Sequence, residues 1–336
     1  MSGRHVITGG AGFVGSRLSA ALIARGEDVV IFDSAPPAPG QHRFVPGDIR
    51  NSDDLSKLDL QADDTVYHLA ARQFHGPVPP QGREDWFAEV NRDGTRKLLD
   101  AMERGGAGRL VFFSTDMTYG RPDQSPVPAT HRQAPIGPYG RSKLAAEQFI
   151  GEAMARSSLS ATIFRPRLIA GTGRLGILAK LFRLIALGLP VPMIGAGRNH
   201  YQMIAVDDCV AAALQAVDRG LPPGPFNLGS ESPPTVRALL ADVIRRAGSR
   251  SVLIPTPARM VQAVLAGLDR IGMTLLYPEQ YAIADLDYVL DTSRTRAVLD
   301  WSPTRSDTDI IFDAYRHFRT MGAESVPNAG LAPAGS

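Results

Sequence analysis

The sequence predicts an α/β fold in which a doubly wound parallel sheet is followed by a smaller, mainly helical C-terminal lobe. Three observations lead to this prediction. Short β-branched runs alternate with apolar repeats at helical spacing, a glycine-rich segment separates the first run from the first helix, and the alternation stops after Pro166. Strands and helices in alternation build parallel sheets, because a parallel neighbour is reached through a helical crossover.

The elements of the first half follow from local patterns. Buried strands are expected at residues 5–8, 28–32, 43–45, 65–69, 110–113 and 161–164, where β-branched and apolar residues cluster. Apolar residues recur at helical spacing near 14–22, 91–104 and 139–155, and Gly26 stands where a glycine commonly ends a helix. We therefore predict a sheet domain over residues 1–166.

The second half has a different composition. Proline and glycine become frequent after Pro166, and helical patterns dominate as far as Phe318. We assign residues 167–202 and 229–321 to a substrate-binding lobe, with residues 203–228 returning to the sheet domain. Residues 322–336 are rich in Ala, Gly, Pro and Ser and are expected to be a disordered tail.

Two apolar repeats stand out in this lobe. They lie at residues 178–185 and 260–271. Such repeats favour helices that pack against the domain core. The alternative is an apolar pocket for a sterol-like or polyketide-like alcohol.

Composition excludes several classes of protein. The 336 residues carry 36 basic and 34 acidic side chains, a balance that argues against a nucleic-acid or polybasic membrane binder. Cys209 is the single cysteine, so neither an intramolecular disulfide nor a thiolate zinc site is expected. The seven histidines lack metal-ligand spacing, and the apolar residues 175–189 are too few to cross a bilayer. We expect a cytoplasmic protein that acts on a small molecule, without a bound metal.

A glycine-rich loop joins the first strand to the first helix. It reads Gly9-Gly10-Ala11-Gly12-Phe13-Val14-Gly15. Glycines at its first, fourth and seventh positions give a tight turn, let the backbone approach a pyrophosphate and let the helix pack on the strand. The amide groups of the helix N-terminus then attract phosphate. The pattern predicts a Rossmann-type dinucleotide site.

Asp33 indicates which dinucleotide is bound. It ends the second strand, about 20 residues beyond the loop, where the ribose-binding acid is expected. A carboxylate accepts hydrogen bonds from a ribose 2′-hydroxyl but repels a 2′-phosphate, and Ser34 and Ala35 follow it instead of an arginine. The sequence favours NAD over NADP.

Three side chains form a candidate catalytic set. Tyr139 and Lys143 are four residues apart and therefore lie on one face of the predicted helix. A nearby ammonium favours phenolate over phenol, so Lys143 is expected to lower the pKa of Tyr139 and suit it to acid–base work near neutrality. Thr115 follows a strand, and ligands of open α/β sheets lie at the carboxyl ends of the strands.

Taken together, these residues resemble the extended short-chain dehydrogenase/reductase family, in its NAD-dependent sugar epimerase/dehydratase group. The resemblance covers nearly the whole chain. Its segments are TGGAGFVG at residue 8, GDI at 47, YHLAA at 67, Asn91 with Gly94-Thr95, STDMTYG at 114, YGRSK at 139, Arg165-Pro166, VDD at 206, FNLG at 226 and LDWSP at 299.

The resemblance implies a role for each matching cofactor residue. The loop glycines hold the pyrophosphate, Asp33 holds the adenosine ribose, and Asp48 and Ile49 flank the adenine. Asn91 either contacts the cofactor or braces its own helix. The implied NAD-binding residues are Gly9, Gly12, Phe13, Val14, Gly15, Asp33, Asp48, Ile49, Leu69, Ala70, Ala71, Asn91, Tyr139, Lys143 and Pro166.

The resemblance also implies catalytic roles. Thr115 binds the reacting oxygen, Tyr139 removes the hydroxyl proton, and Lys143 binds the nicotinamide ribose. Asp116 is a further catalytic candidate, because sugar dehydratases of this family use the Asp of a Thr-Asp-Glu segment as an acid. The resemblance further implies a homodimer joined through the helices at 91–104 and 139–155.

Two departures from the family pattern concern the substrate. Met117 stands where dehydratases have their basic Glu, and a thioether accepts no proton near neutrality. Elimination is therefore not expected unless His75 or Glu84 replaces that base. The arginine that contacts nucleotide phosphates is replaced by Tyr201, although Arg198 lies three residues earlier, and Arg167 occupies the segment that usually carries an Asn.

The sequence thus predicts an NAD-dependent epimerase or oxidoreductase that acts on a nucleotide-activated sugar through a transient ketone. Its expected substrate-binding residues are Thr115, Met117, Arg167, Arg198 and Tyr201. A hydroxysteroid-type alcohol dehydrogenase and a sugar-nucleotide dehydratase are the enzymatic alternatives, and an NAD-binding regulator is the non-enzymatic one. The intact set of Thr115, Tyr139 and Lys143 argues against the regulator, because a sensor has no use for a tuned phenol.

Overall fold

A computed structural model describes residues 3–40, 42–74, 78–173 and 178–321. Its central feature is a seven-stranded sheet with the strand order β10-β6-β5-β4-β1-β2-β3, and every ladder in it is parallel. The strands are β1 His5–Thr8, β2 Val29–Asp33, β3 Arg43–Pro46, β4 Thr65–His68, β5 Arg109–Phe113, β6 Ser160–Pro166, β7 Leu168–Ala170, β8 Val191–Ile194, β9 Met203–Ala205, β10 Phe226–Leu228 and β11 Leu253–Thr256. The predicted doubly wound α/β fold is confirmed.

Helices cover both faces of the sheet and build most of the C-terminal part. They are α1 Phe13–Ala24, α2 Ser52–Ser56, α3 Arg83–Ala88, α4 Thr95–Gly105, α5 Pro138–Arg156, α6 Leu178–Ala186, α7 Val206–Asp218, α8 Val236–Arg246, α9 Ala258–Arg270, α10 Pro278–Tyr281, α11 Ser293–Leu299 and α12 Asp307–Thr320. Gly26 follows α1 with a positive φ of 79°, as its position in the sequence predicts.

The strand register brings the functional segments to one edge of the sheet. Thr8, at the end of β1, pairs with Phe32 on one side and with His68 on the other. The glycine loop, Asp33 and the segment after β4 therefore leave the sheet side by side. This edge lies where the strand order reverses around β1, which is the usual ligand position in open α/β sheets.

Two apolar layers hold the helices on the sheet. On one face, Leu98 and Met102 of α4 and Ile150 of α5 join a buried cluster, while on the other Leu18 of α1 and Leu214 of α7 join a second one. Both faces of each central strand are therefore buried, which is why these strands read as short continuous apolar runs.

The predicted helix at 91–104 is interrupted. Residues Glu89–Gly94 form a π-helical turn, and α4 begins only at Thr95. The side chain of Asn91 inside this turn bonds the backbone of Arg72 and the hydroxyl of Ser142. Turns of this kind commonly re-aim a side chain at a functional site.

The C-terminal lobe adds two small parallel ladders, β7–β9 and β8–β11, and a third apolar cluster shared by α6, α8 and α12. Of the segment predicted to return to the sheet, β10 joins it, whereas β9 pairs with β7. The expected tail at 322–336 lies outside the described residues. Within the described ranges, no helix is both long and apolar enough to span a membrane.

One packing expectation for this lobe holds only in part. Phe182 and Ile185 of α6 are buried, as predicted, but α9 fully buries only Leu265, with Val261 and Leu268 half-buried beside it. Met260 and Val264 of α9 are 57% and 56% exposed. One side of the apolar repeat of α9 therefore packs inward, and the other side lies at the surface.

Candidate active site

The glycine loop packs tightly against the segment that follows β4. Gly9 has a φ of 74°, and a Cβ on it would lie 2.5 Å from the backbone nitrogen of Ala70. A Cβ on Gly15 would lie 2.3 Å from the carbonyl oxygen of Gly9. Gly12 is the N-cap of α1, no side chain of the described residues hydrogen-bonds as its cap, and the first turn holds no acidic residue. A helix N-terminus without a carboxylate of its own suits a pyrophosphate.

Asp33 is held beside this loop. Its Oδ2 accepts a hydrogen bond from the backbone N–H of Ala11 at 3.0 Å, and its Oδ1 accepts one from Ala35 at 3.1 Å. The carboxylate is half-buried at the end of β2. It therefore faces the glycine loop from the position at which an adenosine ribose is expected.

Asp48 and Ile49, which are expected to flank the adenine, follow β3, the strand that pairs with the strand ending at Asp33. The hydrogen bond from the Arg50 guanidinium, with Nη2 2.6 Å from Oδ2, lowers the pKa of Asp48. Ile49 is buried, and a Cβ on Gly94 would lie 2.9 Å from its Cγ2. Gly94 thus lets the helix that carries Asn91 approach this wall of the cleft.

Asn91 ties the segment after β4 to α5. Its Oδ1 accepts from the backbone N–H of Arg72 at 2.8 Å, and its Nδ2 donates to the Arg72 carbonyl and to Ser142 Oγ, both at 3.0 Å. Leu69, Ala70 and Ala71 lie directly before this anchor. The geometry supports the bracing role that the sequence left open for Asn91.

Tyr139 and Lys143 lie on the first turns of α5, and both are buried. The Tyr139 ring contacts Phe74 and Phe87, with centroid distances of 5.3 and 5.6 Å. Lys143 Nζ lies 4.2 Å from the centre of the Phe112 ring. Burial lowers the pKa of Lys143 to about 7, and the charge of Glu147 offsets only part of this effect.

Glu147 extends the same face of α5 by one turn, and sequence reasoning missed it. It forms a buried pair with Arg165, with Nε 3.0 Å from Oε1 and Nη2 2.5 Å from Oε2. Ser114 Oγ also donates to Oε1. Its spacing of four from Lys143 was a visible signal, since Tyr139, Lys143 and Glu147 form one stripe.

Thr115 caps the short 3₁₀ turn Asp116–Thr118 and is buried. Its Oγ1 accepts from the Met117 N–H at 3.2 Å and donates to Asp116 Oδ1 at 3.2 Å. The turn lies against α5, because a Cβ on Gly140 would be 2.6 Å from the Met117 carbonyl oxygen. The structure thus packs the turn that carries Thr115 onto the helix that carries Tyr139 and Lys143.

Asp116 and Arg167 form a second buried pair beside this turn. Arg167 Nη1 lies 2.7 Å from Asp116 Oδ2, and the Arg167 guanidinium lies over the ring of Tyr288 at 4.5 Å and near that of Tyr201 at 5.7 Å. Tyr288 donates its hydroxyl to the Asp116 carbonyl at 2.7 Å. Arg167 Nε is buried and has no hydrogen-bond partner among the described residues.

The remaining candidates are less closely grouped. Arg198 is exposed on the loop before β9, and Pro166 ends β6 at the carboxyl edge of the sheet. Glu84 is largely exposed and pairs with Arg141 at 2.6 Å, while His75 lies outside the described residues. No group of three His, Cys, Asp or Glu side chains suited to a metal occurs in the described part of the chain.

Comparisons with known proteins identify the family of the chain. The model of the NAD dependent epimerase/dehydratase family matches residues 5–229. A UDP-glucose 4-epimerase of Streptomyces lividans is 31% identical over an alignment of 345 positions, gaps included, that covers 94% of this chain and 96% of that protein. A 3 beta-hydroxysteroid dehydrogenase/Delta 5-->4-isomerase of Mycobacterium tuberculosis (strain CDC 1551 / Oshkosh) is 28% identical over 324 residues, which cover 90% of this chain and 86% of that one.

The solved structure described as MoeE5 in complex with UDP-glucose and NAD has a TM-score of 0.74 and 26% identity, and the match covers 95% of this chain and 99% of that one. The matched family region contains the glycine loop, Asp33, Thr115, Tyr139 and Lys143. The geometry of the loop and of Asp33 suits NAD, as predicted. The chain belongs to the NAD-dependent epimerase/dehydratase family, and its cofactor is NAD.

Proposed function

We propose that the protein is an epimerase of a nucleotide-activated sugar, which oxidises a secondary alcohol of the sugar to a transient ketone and then reduces it to the epimer. The observation that carries this proposal is the packing of the Thr115 turn onto the helix of Tyr139 and Lys143, at the sheet edge that holds the glycine loop. The likeness to a UDP-glucose 4-epimerase and to a structure bound to UDP-glucose supports the substrate class.

Each side chain of this set has one task in the proposal. On substrate binding Thr115 redirects its hydroxyl hydrogen from Asp116 Oδ1 to the reacting oxygen, and Tyr139, as phenolate, takes the proton from that oxygen. The ammonium form of Lys143 stabilises the phenolate from one turn away. When bound, NAD would supply the hydride acceptor for the oxidation and the hydride donor for the reduction. Lys143 also binds the nicotinamide ribose.

The substrate-binding residues extend from this set toward the C-terminal lobe. Met117 and Tyr201 line the approach to Thr115, and Arg198 meets the nucleotide phosphates. Arg167 donates to a sugar oxygen, which is supported by its buried Nε, a donor that has no hydrogen-bond partner among the described residues. An arginine leaves such a donor buried and unpaired only at an energetic cost, so a ligand oxygen is its natural acceptor.

Incubation with NAD and a panel of nucleotide hexoses and hexuronates tests the proposal. We expect at least one of them to be converted into its epimer without net accumulation of NADH. NMR spectroscopy measures the conversion. The Tyr139→Phe variant is the matched control and is expected to convert the same sugar far more slowly. Conversion of no member of the panel would overturn the substrate class.

A hydroxysteroid-type alcohol dehydrogenase is the second candidate. The likeness to a mycobacterial 3 beta-hydroxysteroid dehydrogenase/isomerase supports it, as does Tyr201 in place of the phosphate-binding arginine. Such an enzyme releases its ketone and therefore produces NADH in proportion to alcohol consumed, whereas an epimerase does not. Absorbance at the NADH band with sterol-like alcohols distinguishes the two. A regulator without activity would neither reduce NAD with sterol-like alcohols nor convert a nucleotide sugar into its epimer.

We also propose a cytoplasmic homodimer. The interface would be formed by the faces of α4 and α5 that point away from the sheet, as in the resemblance above. Light scattering during size-exclusion chromatography measures the mass directly. A mass of one chain at micromolar concentration would contradict the dimer.

A further inference from the structure

The helix that carries Tyr139 begins without a cap of its own. Gly137 is the N-cap of α5 and has no side chain, Pro138 occupies the first position, and no acidic residue lies in the first turn. The first N–H groups of a helix have no partner within the helix. At many helix N-termini the side chain of a Ser, Thr, Asp or Asn N-cap accepts one of these hydrogen bonds, from the amide of the second or of the third helical residue. Here the acceptor has to come from elsewhere.

It comes from the C-terminal lobe. Glu279, 140 residues away on α10, accepts from the backbone N–H of Tyr139 through Oε1 at 3.4 Å and from that of Gly140 through Oε2 at 3.3 Å. Glu279 is buried, and a Cβ on Gly137 would lie 2.4 Å from its Cδ. The carboxylate therefore fills the space that a side chain at the N-cap would occupy, and it serves the same two amides.

The same segment of the lobe also touches the surroundings of the phenol. Tyr277 stacks on Phe74 with a centroid distance of 4.6 Å, and Phe74 packs edge-on against Tyr139. Residues 277–279 thus contact the backbone of Tyr139 directly and its ring through one intermediate side chain. The position of Tyr139 depends on how this segment docks.

We propose that Glu279 is a positioning residue for Tyr139, and that gain or loss of its proton changes how firmly the first turn of α5 is held. An ionised carboxylate offers two acceptor oxygens to the two amides. A protonated carboxyl group keeps one good acceptor, so one N–H loses its partner. The role in turnover rests on the proposed function of Tyr139, whereas the effect on the helix turn does not.

The electrostatic surroundings put this change near neutrality. Burial raises the pKa of Glu279 to about 7, against the lowering effect of its two backbone hydrogen bonds. Arg141 on α5 opposes the rise, whereas Glu84 on α3 adds to it. Arg83 on α3 is a further charge within range of Glu279. Above about pH 7 the turn is held through both amides, and below it through one.

Amide hydrogen exchange of the NAD-bound protein tests the structural step. We expect the protection factors of the Tyr139 and Gly140 amides, corrected for intrinsic exchange, to fall roughly fivefold as pH drops from about 8 to about 6. In Glu279→Gln, whose amide has a single acceptor oxygen, protection should be low at both pH values. Protection of these amides that does not change with pH in the wild type would overturn the proposal.

Turnover tests the catalytic step. The kcat of the wild type should fall roughly fivefold as pH drops through about 7. This pH-dependent limb should be absent in Glu279→Gln, because the variant resembles the protonated state throughout. Gly137→Ala displaces the carboxylate without changing its chemistry and should remove the same limb. Glu279→Asp keeps the charge and should restore part of it. A limb that persists in both Glu279→Gln and Gly137→Ala would exclude Glu279.

Two variants on the same helix are matched controls. Glu152→Gln makes the same chemical change at an exposed site, and Gly151→Ala adds a Cβ that meets no atom within 4 Å. Both should keep the wild-type exchange and pH profile. If no sugar is turned over, the proposed function fails while exchange still decides the role of Glu279. If sugar is turned over but exchange does not change with pH, the role of Glu279 alone fails. Protection that does not change with pH in the wild type overturns the role of Glu279 even if a variant does not fold.

Discussion

Arg167 and Asp116 form a buried ion pair with 2.7 Å between Nη1 and Oδ2, and Asp116 directly follows Thr115 in the chain. The pair joins the β6–β7 connection to the turn that presents the candidate catalytic hydroxyl. It also pairs Asp116, which the sequence suggested as a catalytic acid, with the positively charged guanidinium of Arg167. The two residues therefore hold the Thr115 turn in place, whatever further part either takes in binding substrate.

Breaking this pair from one side should be costly. Arg167→Met leaves an uncompensated buried carboxylate, and we expect it to lower the free energy of unfolding by about 3 kcal/mol. Adding Asp116→Asn removes that charge and should recover most of the loss. Arg25→Met, which breaks an exposed pair with Asp218, should cost less than about 1 kcal/mol in chemical denaturation. Equal costs for both arginines would contradict the structural role.

The choice of cofactor should depend on Asp33. The wild type is expected to bind NAD more tightly than NADP, and Asp33→Ala should raise the Kd for NAD about tenfold by removing the acceptor of the ribose hydroxyls. Isothermal titration with both cofactors measures this difference. Asp207→Ala, at an exposed site on α7, should bind like the wild type. Tighter binding of NADP by the wild type would refute the interpretation of Asp33.

Tyr139→Phe should separate cofactor binding from turnover. Loss of the phenol removes the acid–base group but keeps the ring against Phe74 and Phe87. We expect NAD affinity within about twofold of the wild type and a kcat lower by about 10²-fold or more. Tyr315→Phe, in the C-terminal lobe, is the control. Full activity of Tyr139→Phe would exclude this residue from the mechanism.

Lys143 should destabilise the NAD-free protein. Because its pKa is lowered to about 7, the unfolded chain binds more protons than the folded one from about pH 7 to about pH 10, and stability rises with pH there. Lys143→Met removes this penalty and should stabilise the protein by about 2 kcal/mol at pH 7, with a smaller gain near pH 10 and with loss of activity. The exposed Lys180→Met is the control in denaturant titrations without NAD. A destabilised Lys143→Met variant would contradict the burial argument.

Elimination should not occur at this site. Met117 replaces the base that abstracts the neighbouring proton in dehydratases, Glu84 is occupied by Arg141, and Asp116 by Arg167. We expect no 4-keto-6-deoxy sugar when nucleotide hexoses are incubated with the enzyme and NAD in heavy water. Mass spectrometry detects both the loss of water and the uptake of deuterium. A 6-deoxy-4-keto product with solvent deuterium would mean that another residue supplies the base.

The local features of the fold could be predicted from the sequence. The strand at residues 5–8, the glycine loop and the spacing of Tyr139 and Lys143 each depend on residues close together in sequence, and the structure places them as expected. The helix at 91–104 was predicted in type but not in its π-helical start, since that start depends on the contacts of Asn91 with Arg72 and Ser142.

The sequence by itself determined the alternating α/β fold, the glycine loop with Asp33 at the end of the next strand, and the spacing of Tyr139 and Lys143 by one turn of α5. These features depend on the periodicity and short-range spacing of the chain, because backbone geometry fixes which nearby side chains share a face. Only the tertiary structure decided that Glu279 caps α5, that Arg167 pairs with Asp116, and that Met260 and Val264 of α9 are exposed. Burial and the pairing of distant charges arise only when the folded chain excludes water between segments far apart in sequence. Local sequence patterns therefore do not predict them.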